Sequence, residues 1–138
     1  MLVRAATRGS VLARWQADHI ARLLARADRS VTVEPVIVST HADRRQDLPI
    51  HALGGKGMFV KEVQAAVLDG RADLAVHSAK DLPAVTAPGL VLAAVPVRGD
   101  IRDALVGCRL GDLPDSARVA TGSIRRRVQL SALRASTP

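Results

Sequence analysis

Aromatic residues make up only 1% of this 138-residue chain, with no tyrosine, one phenylalanine and one tryptophan. Its core must therefore be built from Val, Leu, Ile and Ala. The scarcity also argues against a single-stranded nucleic-acid platform, because such surfaces stack bases on aromatic rings, and both Trp15 and Phe59 fall on predicted core faces of helices. Cys108 is the single cysteine, which excludes an intrachain disulfide and gives no sign of an oxidising compartment. The four histidines, His19, His41, His51 and His77, lack any metal-ligand spacing, so no metal site is expected and each reads as solvated or locally satisfied. Long apolar runs are missing too. The start has no signal-like apolar stretch, and residues 90–97 are too few to cross a bilayer. A soluble cytoplasmic protein without a membrane partner is the expectation.

What is present in excess is positive charge. Lys and Arg number 20 against 13 acidic residues, giving a net charge of +7 and an isoelectric point near 11.2. An anionic partner follows, and composition alone leaves nucleic acid, an anionic membrane or a small polyanion open. A hydrophobic share of 48% and a mean hydropathy of +0.13 suit an α/β protein of one domain, or of one domain and part of another.

Along the chain, residues 2–6 form a short β-rich run that leads to Ser10, the predicted N-cap of a helix over 11–27. Leu12, Trp15, Ile20 and Leu23 make its predicted apolar side, with Arg14, Asp18 and Arg22 on the solvated one. Residues 31–38 read as a second strand, with Pro35 indicating an edge position or a local irregularity. The polar connection 39–57 ends in Gly54-Gly55-Lys56-Gly57, which suits a lid carrying a cation but lacks the residues of a Walker A loop. A second amphipathic helix is predicted over 58–69, stopped by Gly70, and a third strand over 73–76. This alternation predicts a parallel sheet. Beyond it, residues 90–97 read as a buried strand or crossing segment, 104–106 and 118–120 as short strands, 110–115 as a turn, and a helix opens near Ser123.

Three segments share one design: Ala6-Thr7-Arg8-Gly9-Ser10, Ser78-Ala79-Lys80-Asp81 and Ala120-Thr121-Gly122-Ser123-Ile124-Arg125-Arg126. In each, small, hydroxyl and basic residues follow a short strand near a helix start, where backbone N–H groups and arginine forks hold carboxylates or phosphates. Each also has a plainer reading. Lys80 and Asp81 can be a surface ion pair, Arg8 and Ser10 a surface charge and a helix cap, and Arg125-Arg126-Arg127 a solvated run. Taken together, several cations and one carboxylate suit a polycarboxylate substrate whose reaction passes through local positive charge.

These segments, with Gly54-Gly55-Lys56-Gly57-Met58-Phe59-Val60-Lys61-Glu62 and Ala72-Asp73-Leu74-Ala75-Val76-His77-Ser78-Ala79-Lys80-Asp81-Leu82-Pro83, closely resemble the porphobilinogen deaminases, or hydroxymethylbilane synthases. The resemblance implies an enzyme of tetrapyrrole biosynthesis that joins four porphobilinogen units head to tail and releases ammonia at each step. It implies a fold like that of the periplasmic binding proteins: a first α/β domain over 1–97, then a hinge and an incomplete second α/β domain over 98–138. By the same resemblance, Asp81 is the catalytic aspartate, assisted by Lys80. Arg8, Ser10, Lys80, Arg125 and Arg126 hold acetate and propionate groups; Ser78, Thr121 and Ser123 bond substrate or the dipyrromethane cofactor; Lys56 rides on the mobile loop.

Two departures stand out. Gly122 replaces a common serine, and the third domain, with the cysteine that carries dipyrromethane, is not within these 138 residues. Cys108 is no counterpart by position. The chain alone is therefore expected to have little deaminase activity, with a separate C-terminal polypeptide as a conceivable partner. The other reading is a non-catalytic remnant that binds small polycarboxylates or pyrroles.

Overall fold

The computed structural model describes residues 1–40 and 60–135. Two compact units divide it, Met1–Val95 and Pro96–Pro138. The first is an α/β unit built on a three-stranded parallel sheet of order β2-β1-β3, with β1 at Leu2–Arg8, β2 at Thr32–Val38 and β3 at Leu74–Ala75. Helix α1, Val11–Ala27, joins β1 to β2, and helix α2, Lys61–Leu68, precedes β3.

Local chemistry sets these boundaries. The Ser10 hydroxyl accepts the Ala13 N–H at 3.3 Å and so caps α1. Gly70, with φ +72°, turns the chain after α2 in a conformation that side chains disfavour. Pro35 lies on β2, an edge strand, where its missing N–H costs no inner ladder bond. At the amino end of the sheet, Asp73 accepts from the Arg4 guanidinium (Nη2 to Oδ1, 2.8 Å) and from the Arg4 N–H at 2.7 Å, tying β1 to the approach of β3.

The core is made of small side chains, as the lack of aromatics requires. Ala6, Val38, Val63, Ala66 and Ala72 are buried together, with Val36, Val67 and Ala75 packed against them. Thr7 is also fully buried, and its hydroxyl donates to the Ala13 carbonyl at 3.1 Å, which ties the end of β1 to the first turn of α1.

Helix α1 bears out half of the predicted apolar side: Ile20 and Leu23 are half-buried, as are Ala13, Ala21 and Leu24, and Ala17 is buried. Leu12 and Trp15 are exposed, and Trp15 stacks its ring on His19 at 5.5 Å instead of entering the core. At 100° per residue Trp15 stands about 160° around the helix from Ala17. The alanine side faces the sheet because small residues let helix and sheet backbones approach closely.

The apolar run 90–97 forms no strand, and residues 91–97 are exposed. A strand needs a free ladder to join, but β3 is two residues long and the chain after it turns away, while Pro96 lacks a donor. For the same want of a partner ladder, 104–106 and 118–120 are not strands. The second unit contains a 3-10 turn at Leu110–Asp112 and helix α3 at Ile124–Ala135, which opens where predicted. Among the described residues no helix is long and apolar enough to cross a membrane.

Candidate functional site

The parallel register brings the carboxyl ends of β1 and β3 to one edge of the sheet, where ligands of open α/β sheets bind. Ala6 pairs with Ala75, and the Val76 N–H donates to the Ala6 carbonyl at 2.9 Å. Continuing along both strands, the residues that emerge are Arg8 and His77.

After His77 and Ser78 the chain folds into a 3-10 turn, Ala79–Asp81, closed by the Asp81 N–H on the Ser78 carbonyl at 2.9 Å. Lys80 is exposed and Asp81 half-exposed. The two form no ion pair with each other or with any other described residue. The expected surface ion pair between the two is not formed among the described residues.

His77 is the most constrained group at this edge. Its Nε2 is buried without a hydrogen-bond partner among the described residues. Burial pushes the imidazole pKa below its ordinary value; the Asp81 carboxylate opposes that shift and the Arg8 cation adds to it. The expectation of a solvated or locally satisfied histidine does not hold here. Neither its burial nor its proximity to Arg8 and Asp81 was read from the sequence.

Gln16 is the other residue that sequence reasoning passed over. Its amide makes a reciprocal pair with Ser78, Nε2 donating to Oγ at 2.9 Å and Oγ donating to Oε1 at 3.1 Å. This pair fastens α1 to the segment carrying Lys80 and Asp81. It also commits the Ser78 proton. A neutral amide beside the buried Ala17 was the available signal.

In the second unit, the Thr121 hydroxyl accepts the Ser123 N–H at 3.1 Å and the Ser123 hydroxyl accepts the Arg126 N–H at 3.4 Å. Both oxygens act as acceptors toward the backbone, so both protons can be donated to an anion, as can that of Ser10 in the first unit. Arg125 is exposed and makes no ion pair among the described residues, whereas Arg126 is bonded to Asp103. Arg8, Ser10, Ser78, Lys80 and Asp81 thus belong to the first unit, and Thr121, Ser123, Arg125 and Arg126 to the second. Lys56 and its glycine-rich segment lie outside the described residues.

Comparison with known proteins bears on the family of the chain. Residues 3–137 match the family model described as porphobilinogen deaminase, dipyromethane cofactor binding domain. A porphobilinogen deaminase of Sulfurimonas denitrificans is 46% identical over 132 residues, which are 94% of this chain and 42% of that protein. Its counterpart in Acidithiobacillus ferrooxidans is 46% identical over 131 residues, 93% of this chain and 43% of that protein. The one from Acidothermus cellulolyticus is 48% identical over 136 residues, 96% of this chain and 40% of that protein. The chain thus spans well under half the length of these relatives. With its family model matched from residue 3 to residue 137, this chain belongs to the porphobilinogen deaminase family.

Proposed function

We propose that this chain carries part of the substrate- and cofactor-binding machinery of a hydroxymethylbilane synthase, a transferase that joins porphobilinogen units head to tail with release of ammonia. In this reading residues 1–97 are the first α/β domain of a periplasmic-binding-protein-like enzyme and 98–138 open the second. The observation that carries it is that Lys80 and Asp81, on the 3-10 turn beyond β3, form no ion pair among the described residues, in a chain whose family is named for a deaminase of porphobilinogen.

The chemistry follows from the donors. Loss of ammonia leaves positive charge on the pyrrole, and a carboxylate without a competing cation stabilises that charge and accepts the pyrrole N–H. Asp81 has that position, and it can also take the proton released when the new carbon–carbon bond restores the ring. In the first unit Lys80 and Arg8 supply cations for acetate or propionate groups and Ser10 a hydroxyl proton; in the second, Arg125 and Arg126 supply cations and Thr121 and Ser123 hydroxyl protons. Ser78 acts through its pair with Gln16, holding the turn in place.

The same donor set fits dipyrromethane, which carries the same carboxylates and pyrrole N–H groups. In the second unit Thr121, Ser123, Arg125 and Arg126 have the donors for such carboxylates, and in the first unit Asp81 has the acceptor for such N–H groups. When bound, it supplies the primer from which the chain of pyrroles grows.

Calorimetry of the purified chain with porphobilinogen tests the reading. Binding is expected, weakened at least tenfold by the Lys80→Ala, Asp81→Ala double substitution. Heat signals that are absent, or unchanged by that substitution, would overturn it. Ehrlich-reagent measurement of pyrrole consumption on the same sample tells turnover from binding alone.

A further inference from the structure

We propose that Asp103 is a positioning residue for Arg126, holding one edge of its guanidinium so that the other edge is presented to a ligand carboxylate. The proposal rests on the reading of the chain as a porphobilinogen-binding member of its family. Asp103 Oδ1 accepts from Arg126 Nε at 2.8 Å and lies 2.8 Å from Nη2. A guanidinium offers two bidentate edges, one through Nε and Nη2 and one through the two terminal nitrogens. Asp103 takes the first, and the terminal edge is left for a second carboxylate.

Two further features favour orientation over stability as the purpose of this contact. The side chains of Arg126 and Asp103 are 61% and 53% exposed, so the ion pair contributes little to folding. The partners are 23 residues apart in sequence, whereas the Arg102 pair with Asp100 in the same unit spans two residues. The Arg126 backbone N–H is meanwhile tied to Ser123 Oγ, so main chain and side chain are both fixed. Arg125, without an ion pair among the described residues, supplies charge without direction. One ordered fork beside one free cation suits a substrate that must enter in a defined orientation, because a preoriented donor loses less freedom on binding.

The test combines affinity with a direct view of the Arg126 side chain. In calorimetry, Asp103→Asn is expected to weaken porphobilinogen binding about tenfold and Asp103→Glu to restore it to within about threefold. On an Arg126→Lys background, Asp103→Asn should change nothing further. Equal losses with and without Arg126 would mark a merely structural role and overturn the proposal, as would an Asp103→Asn chain that binds normally. Nitrogen-15 spectra of the arginine Nε–H groups supply the second readout. A protected Arg126 signal is expected in the parent and Asp103→Glu chains and should be lost in Asp103→Asn. Release of that signal on adding porphobilinogen would make Asp103 a competitor of the ligand, which also overturns it. A parent chain that binds no porphobilinogen would sink the functional reading, and the Nε–H spectra would then decide the orientation of Arg126 alone.

Discussion

His77 sits where two demands conflict. Burial disfavours a charged imidazole, and the neighbouring Arg8 adds to this, while Asp81 favours it. The first wins, so the folded state holds His77 neutral and its pKa lies below that of the unfolded chain, about 6.5. The unfolded state therefore binds the proton more readily, and stability rises with pH across this range. The contribution is present above about pH 6.5 and is lost as pH falls through the lowered folded value. Urea midpoints compared at pH 7.5 and 5.5 should fall more for the parent chain than for His77→Gln, a group of similar polarity that does not titrate. Equal falls in both chains would remove His77 as the cause. The neutral ring also has a consequence for the site: it adds no second positive charge beside Asp81, whose carboxylate stays available to a pyrrole.

At the scale of elements, the link between β1 and β3 is electrostatic at one end and apolar at the other. The Arg4 guanidinium and backbone N–H hold the Asp73 carboxyl down at about 2. A carboxyl depressed in the folded state stabilises it above the unfolded value near 3.9, and this is lost as pH falls toward 2. Acid titration followed by circular dichroism should show Asp73→Asn insensitive to this part of the transition, between about pH 4 and 2. An identical acid limb in both chains would refute the assignment. On the apolar side, Val63 is fully buried in the cluster beneath the sheet. Val63→Ala removes two methyl groups and leaves a small cavity, an expected loss of about 2 kcal/mol in chemical denaturation. The elements themselves were legible where period and punctuation agreed. Ser10, Gly70 and the β-branched run before Val38 marked their boundaries. Trp15 misled because hydrophobicity was read without size; the sheet takes alanine, and the large ring stays on the outer face. Residues 90–97 misled because an apolar run specifies a wish for burial and not a partner. Asp103 gave no local signal, since its contact with Arg126 crosses 23 positions.

For the molecule as a whole, the question left by composition is which anion its charge serves. A net charge of +7 by itself permits nucleic acid as readily as a small polycarboxylate. The arrangement of that charge favours the second. Arg4, Arg71 and Arg102 are each tied to an aspartate, so they are poor partners for a phosphate backbone, whose binding depends on many uncommitted cations. The exposed Trp15 has its ring already stacked with His19. A single-stranded oligonucleotide is therefore expected to bind no better than a non-specific contact, with a dissociation constant of about 10⁻⁴ M or weaker in 0.15 M salt. Porphobilinogen affinity should change by less than about tenfold between 0.05 and 0.2 M salt, because few charges meet at short range and are screened little. Fluorescence anisotropy with a labelled oligonucleotide, run over the same salt series as the calorimetry, compares the two directly. Micromolar oligonucleotide binding with a steep salt slope would reverse the assignment and make the basic surface, and not Lys80 and Asp81, the functional centre of the chain.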